Sequence, residues 1–335
     1  MADNLTNFLM KMTSKKNTLA AGLAAFLFFV FANGDAWAQS YVQDMKRQSA
    51  RSDKLTGGAI EKTAFAPGDG NLKITVNVPS FQMTLWQNGK EVKTYPIGIG
   101  LKDYPIYIGL REASAVIWNP VWIPPDSDWV HASKKVKAGE IILPTDPRNP
   151  LGKMKIPLGY GYLIHQAKGA GDLGSLVSHG CVRVMQADLY DLADKIIAAR
   201  ELDVTKEQIA EARGTKETLV ADLKPIIPVE ITYDTLVVEA GKLRIYPDVY
   251  ERKTNTAENL RAELKSSGVA ATNLDDATLN KMLARAAGKK QFVVSVKNIE
   301  AGRALTGGQT LAVVAANSAP ASAVRNVVQK RRISR

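Results

Sequence analysis

The sequence predicts a mainly β protein, and three observations carry that expectation. From Leu72 to Val78 the run LKITVNV alternates apolar and polar residues at period two. Turn signals then cut the chain into short pieces, among them Asn88-Gly89 and the proline-punctuated PTDPRNPLG (Pro144 to Gly152). Helical spacing is clear at one place before the last third, ADLYDLADKIIAAR (Ala187 to Arg200), where Leu189, Leu192, Ile196 and Ala199 share one face.

The elements follow in order. Lys11, Lys15 and Lys16 precede the apolar run Leu19 to Ala32, and Ala36-Trp37-Ala38 offers a small-residue cleavage site. Residues 1–38 therefore read as a signal peptide, because the run is shorter than the roughly 20 residues a bilayer span needs. If the signal is not cut, it serves as an anchor. Residues 39–70 are polar and irregular, ending in Ala66-Pro67-Gly68-Asp69-Gly70, and read as a linker. Asn88-Gly89 suits a type I′ turn, since both residues tolerate positive φ, so Met83–Gln87 and Glu91–Tyr95 should form a hairpin. Residues 103–124 continue as extended segments, and GYLIHQ (Gly161 to Gln166) reads as a strand carrying His165 at its end. Thr205 with Gln208 makes a capping box, which predicts a helix from there to about Asp222, weakened by Gly214. Pro228 to Tyr250 returns to strands, turning near Ala240-Gly241; helices at 256–267 and 273–287 and a strand at Gln291–Val296 come next. Residues 301–335, small and polar and ending in KRRISR, read as a disordered basic tail.

Composition bounds the function. A chain of 335 residues, 45% hydrophobic and 23% charged, can bury a sizeable core and form more than one domain. Its net charge of +11 favours anionic partners. No nucleic-acid-reading motif accompanies that charge, so wall polymer or a membrane surface suits it better than nucleic acid. Cys181 is the only cysteine, which excludes an internal disulfide and, in an exported chain, raises the question of what a lone thiol does.

Its neighbours answer. Of three histidines, His165 and His179 lie within sixteen residues of Cys181; His131, near Trp129, receives no role. A free thiol of pKa about 8.5 is mostly protonated at neutral pH, and a nearby imidazole raises its reactive fraction. Gly180 permits the amides of His179, Gly180 and Cys181 to turn toward one point, as an oxyanion site requires. The same three side chains in H-x13-H-x-C spacing also suit zinc, but no further Cys or His pair completes a structural site, and no metal or other cofactor is expected.

His165, the Gly-rich loop Lys168–Ser175, and then Ser178-His179-Gly180-Cys181-Val182-Arg183 resemble the signature of the L,D-transpeptidases, the YkuD-type catalytic domain. ITVNVPSFQMTLWQNGKEVKTYPIGIG, NPVWIPP (Asn119 to Pro125) and DPRNPLG are similar to other segments of that family. The resemblance implies a mixed-strand sandwich or barrel with a helix after the nucleophile. A catalytic domain would span 71–252 (core 71–200, strand extension 225–252), with a smaller, mostly helical region at 253–300. It implies Cys181 as nucleophile and His165 as general base, with His179, Gly180, Ser178 and Arg183 as oxyanion or supporting residues. Trp122 and Tyr162 are candidate groove residues, although Trp122 beside its prolines reads equally well as core. Arg183 reads as either a substrate-carboxylate ligand or the partner of a buried acid. The implied substrate is a peptidoglycan stem peptide, acylated at Cys181 and passed to an amine to give a 3→3 cross-link at the periplasmic or wall face. Transfer to water, trimming D-Ala or releasing a wall-attached lipoprotein, is the alternative; a non-catalytic wall-binding module is the second. Two departures bear on specificity: Gln166 follows His165 where many members have Gly, and YPIYIGLREAS (Tyr104 to Ser114) replaces a Thr-Pro-x-Gly stretch.

Overall fold

The computed structural model describes residues 72–314, apart from 201, 272 and 273. The expected signal, the linker and the last part of the basic tail lie outside the described residues. Strands β1 (Leu72–Asn77), β2 (Gln82–Gln87) and β3 (Lys90–Pro96) open the fold as an antiparallel meander. Alternation sets their faces: Leu72, Ile74 and Val76 of β1 are buried and Lys73 is exposed. The predicted hairpin is present, with Asn88 at φ 52° and Gly89 at φ 73°, the left-handed pair a type I′ turn needs.

β4 (Ile99–Gly100), β5 (Gly109–Trp118), β6 (Met154–Pro157), β7 (Leu163–Gln166), β8 (Leu176–Ser178), β9 (Val182–Val184) and β10 (Leu219–Thr232) follow. An eight-stranded sheet runs β3-β2-β1-β10-β5-β6-β7-β9. It is mixed, because β1·β10 and β7·β9 are parallel while the other pairs are antiparallel. The chain just past β3 returns to the far edge, where Gly98 and Arg183 exchange two backbone hydrogen bonds of 2.8 Å. The sheet therefore nearly closes on itself, and both edges are paired near the closure. Between β5 and β6 an insert carries a short helix, α1 (Asp128–His131), and a small core of Trp122, Ile142 and Leu151.

Helix α2 (Gln186–Ala199) buries Leu189, Leu192, Ala193 and Ile196 in the same core as Trp118, Met154, Ile164 and Val182. Each large apolar side chain so buried contributes about 1.5–3 kcal/mol over an exposed one. Helix α3 (Lys206–Gly214) has the predicted capping box, Gln208 N donating to Thr205 Oγ1 and Thr205 N to Gln208 Oε1. It does not continue to Asp222. It stops at Gly214, and Leu219–Asp222 pair with Ala115–Trp118 as the start of β10, because a fourteen-residue strand across the sheet outweighs a helix already weakened by glycine.

The expected strand extension at 225–252 divides between two sheets. β10 belongs to the large one, whereas β11 (Leu236–Glu239) and β12 (Lys242–Ile245) join β13 (Lys290–Ser295) and β14 (Gln309–Ala312) in a separate antiparallel sheet. Helices α4 (Ala257–Ser266), α5 (Asp276–Ala284) and α6 (Val296–Glu300) accompany it. Leu243, Ile245, Leu260, Leu264, Leu279, Met282 and Phe292 form a second core. β14 lies inside the stretch read as a disordered tail: the short run QTLAV pairs with β13 and seats Val313 in the large core, which composition over 35 residues conceals.

Candidate functional site

The parallel pair β7·β9 sets the site. His165 is the Cα partner of Arg183, and Cys181 stands two residues before Arg183, so alternation puts Cys181 and His165 on one face as diagonal neighbours. The backbone of Leu163, two residues before His165, lies near the Cys181 thiol and favours its ionised form. Burial nevertheless pushes that thiol up to about 11, with the Leu163 backbone and Arg183 opposing the rise. His165 is 4% exposed, and burial, then the Arg183 charge, lower its pKa to about 3. Its Nδ1 lies 3.1 Å from the Gln166 carbonyl oxygen, which can only accept. Nδ1 therefore carries the proton, and Nε2 is the basic nitrogen. The imidazole and the thiol therefore both rest neutral.

The turn holding Cys181 is tightly built. Ser178, 3% exposed, donates from Oγ to the Cys181 carbonyl at 2.6 Å, and its own carbonyl accepts from Leu101 N at 2.8 Å. Gly180 has φ 106°, and a Cβ there would lie 2.6 Å from Tyr162 Cε1, so no other residue fits without displacing the ring. From the other side Gly100 presses on the turn, a Cβ on it meeting Gly180 Cα at 2.9 Å. The amides of Gly180 and Cys181 have no backbone acceptor among the described residues, which leaves them available to a developing oxyanion.

The remaining expected residues separate by role. Arg183 pairs with Asp172, Nη1 to Oδ2 at 3.0 Å, with both side chains largely buried. His179 points away from the base position: its ring stacks on Trp129 at 4.2 Å and 10°, and the Tyr104 ring meets it edge-on at 4.7 Å. Burial, then Arg183, lower its pKa. Trp122 is core of the β5–β6 insert, bridged to Ile142 and stacked on Trp129 at 6.4 Å and 12°. Tyr162 stands over Gly180 at the mouth of the turn. Gln166 turns from the site, its Oε1 accepting from Lys153 N at 2.8 Å above Gly152. His131, which received no role, faces Asp126 on the surface at 2.6 Å.

Two residues at the site escaped the sequence reading. Trp129 joins the insert to His179, and its only signal was proximity to Trp122 in sequence. Lys155 is the Cα partner of His165 on β6, is 4% exposed, and donates from Nζ to the Val121 carbonyl at 3.0 Å. Burial lowers its pKa to about 8. In sequence it occupies the polar position of an alternating strand, which signals a solvent-facing side chain.

The model of the L,D-transpeptidase catalytic domain, YkuD, matches residues 71–218. The probable L,D-transpeptidase ErfK/SrfK of Salmonella typhimurium is 30% identical over 125 residues, 37% of this chain and 40% of that protein. The probable L,D-transpeptidase YbiS of Escherichia coli K12 is 30% identical over 155 residues, 45% of this chain and 50% of that one. The chain thus spans half or less of the length of these curated relatives. Among solved structures, an L,D-transpeptidase from Mycobacterium smegmatis aligns at 15% identity and TM-score 0.31, over 48% of this chain and 58% of that one. The catalytic domain of the E. faecium L,D-transpeptidase aligns at 15% identity and TM-score 0.31, over 48% of this chain and 97% of that one. The SHGC turn and its upstream histidine both lie inside residues 71–218, the segment that matches the L,D-transpeptidase catalytic domain of the YkuD type.

Proposed function

We propose that this chain is an exported peptidoglycan L,D-transpeptidase that works through a Cys181 thioester. The single observation that carries the reading is the shared face of Cys181 and His165 on the β7·β9 pair, beside free amides of the SHGC turn. His165 Nε2 takes the thiol proton as sulfur attacks the carbonyl carbon of the third stem residue. The Gly180 and Cys181 amides receive the developing oxyanion. The C–N bond to the terminal D-Ala then breaks, and the imidazolium returns its proton to the leaving amine. A side-chain amine of a second stem attacks the thioester, the C–S bond breaks, and the thiol is restored with a 3→3 link made. Periplasmic or wall location follows from the substrate and from the expected signal.

The test is intact-mass analysis with a tetrapeptide donor. Wild type gains the donor mass less D-Ala, and Cys181→Ala gains nothing. Adding an amine acceptor yields a cross-linked dimer; if only free tripeptide appears whatever acceptor is offered, the protein is a hydrolase on the same thioester. An adduct that survives Cys181→Ala would refute the assignment.

A further inference from the structure

Two guanidinium groups approach the Cys181 turn, and they differ in what neutralises them. Arg183 is spent on Asp172 at 3.0 Å. Arg111, on β5, has no carboxylate at ion-pair distance among the described residues, and its Nε is buried without a hydrogen-bond acceptor. Its guanidinium carbon lies 5.1 Å from the centre of the Tyr160 ring and 5.5 Å from that of Tyr162. Tyr162 is the ring that stands over Gly180, and Tyr107, 63% exposed, meets it edge-on at 5.8 Å. The turn supplying two of these rings is strained: Gly159, Tyr160 and Gly161 have φ of 76°, 52° and 78°, with a bulky aromatic held where glycine is favoured. Arg111 and Tyr107 both belong to the 104–114 stretch that departs from the family's pattern.

A guanidinium held against aromatic rings loses part of its water, while its N–H groups remain donors for a planar acceptor. Carboxylate is the chemistry that fits such donors, by two parallel charge-assisted hydrogen bonds. We propose that Arg111, held by Tyr160 and Tyr162, is a specificity-determining residue that reads a carboxylate of the donor stem bound at the Cys181 turn. This rests on the transpeptidase reading above. Two carboxylates of one stem qualify: the C-terminal carboxylate of the leaving residue, and the side-chain carboxylate of a diamino dicarboxylic acid at position three.

The experiment measures the acyl-adduct formation rate of wild type, Arg111→Gln and Arg111→Lys with three tetrapeptides. One has both carboxylates, one has lysine at position three, and one ends in a carboxamide. Arg111→Gln should slow the first about 10- to 100-fold, the usual span for losing a hydrogen bond to a charged group. It should cost nothing further on the peptide that lacks the carboxylate being read, which identifies the source. Arg111→Lys, keeping the charge without the fork, should recover part of the rate. Equal rates for wild type and Arg111→Gln, or the same loss on all three peptides, would overturn the proposal. Should wild type form no adduct with any peptide, the transpeptidase reading fails on its own. Binding of the first peptide to Cys181→Ala and to Cys181→Ala/Arg111→Gln, by calorimetry, still decides Arg111: weaker binding by the double variant supports it, and equal binding overturns it.

Discussion

At the scale of single residues, the site depends on keeping two titratable groups neutral. Burial lowers His165 to about 3 and raises Cys181 to about 11, so neither ionises alone between those limits; in the proposed mechanism the proton passes from one to the other as substrate is attacked. The acylation rate should therefore lack an acidic limb near pH 6.5, the ordinary value for histidine. Stability carries the complementary signature. His165 in the unfolded chain binds a proton below about pH 6.5, while the folded one stays neutral to about 3. The unfolded state thus holds more protons across that window, so stability is full above it and falls as pH drops through it. Between pH 7 and pH 4.5 this single group should cost about 2–3 kcal/mol, and His165→Gln should be spared that loss. Urea unfolding at the two pH values checks it; equal losses in wild type and variant would show that His165 is not held neutral. The sequence pointed to Cys181 and His165 because their chemistry sits in a short, specific motif. It was silent on Lys155 and Arg111 because a charged residue at an alternating strand position looks solvent-facing until the chain that covers it is known.

At the scale of elements, local rules succeeded where one segment decides its own conformation. Asn88-Gly89 fixes its hairpin, Thr205 and Gln208 cap their helix, and Leu189 to Ile196 bury one helical stripe. They failed at Leu219–Asp222, where pairing with β5, a hundred residues earlier, overrides the local tendency. The β5–β6 insert was illegible for the same reason, since its order comes from contacts rather than periodicity. The column Trp122, Trp129, His179 is what docks it on the SHGC turn. Each aromatic pair contributes about 0.5–1.5 kcal/mol beyond its buried area, enough to hold a short helix but small against the main core. Trp129→Ala should therefore loosen the insert alone. Limited proteolysis between 126 and 148 should accelerate, the melting temperature should move by only a few degrees, and acylation should slow as His179 loses its stacked face. Unfolding of the whole sheet together with the insert would show instead that the stack is part of the main core.

At the scale of the whole molecule, the question is how the C-terminal region bears on the thiol. Among the described residues, three side chains from Tyr250 onward make polar contacts with the segments around the turn. Lys102 pairs with Glu251 on the surface, Lys289 Nζ reaches Ser175 Oγ at 2.6 Å, and the Tyr250 hydroxyl donates to the Gly100 carbonyl at 3.1 Å while accepting from Ile106 N at 3.4 Å. Magnitudes rank them. An exposed ion pair is worth about 0–1 kcal/mol, and an exposed lysine-to-hydroxyl bond no more. Tyr250 is largely enclosed and stacked on Tyr233 at 5.6 Å, and removing its hydroxyl strands a donor and an acceptor at once, for about 1–3 kcal/mol. Its position matters more than its energy, because it fixes residues 100–106, and Gly100 is the backbone packed on Gly180. Loosening that strap should let the Gly180 and Cys181 amides drift from the point they must share, and an oxyanion donor misplaced or lost costs up to about 100- to 1000-fold in rate. Tyr250→Phe should accordingly lower acylation by about 10-fold or more with a modest loss of stability, while Lys102→Ala changes neither. Single-turnover mass kinetics beside a melting curve separates the outcomes. If Tyr250→Phe acylates at the wild-type rate, the C-terminal region does not govern the geometry of the nucleophile turn, and the strap at 100–106 is held by Gly100 and its neighbours without help.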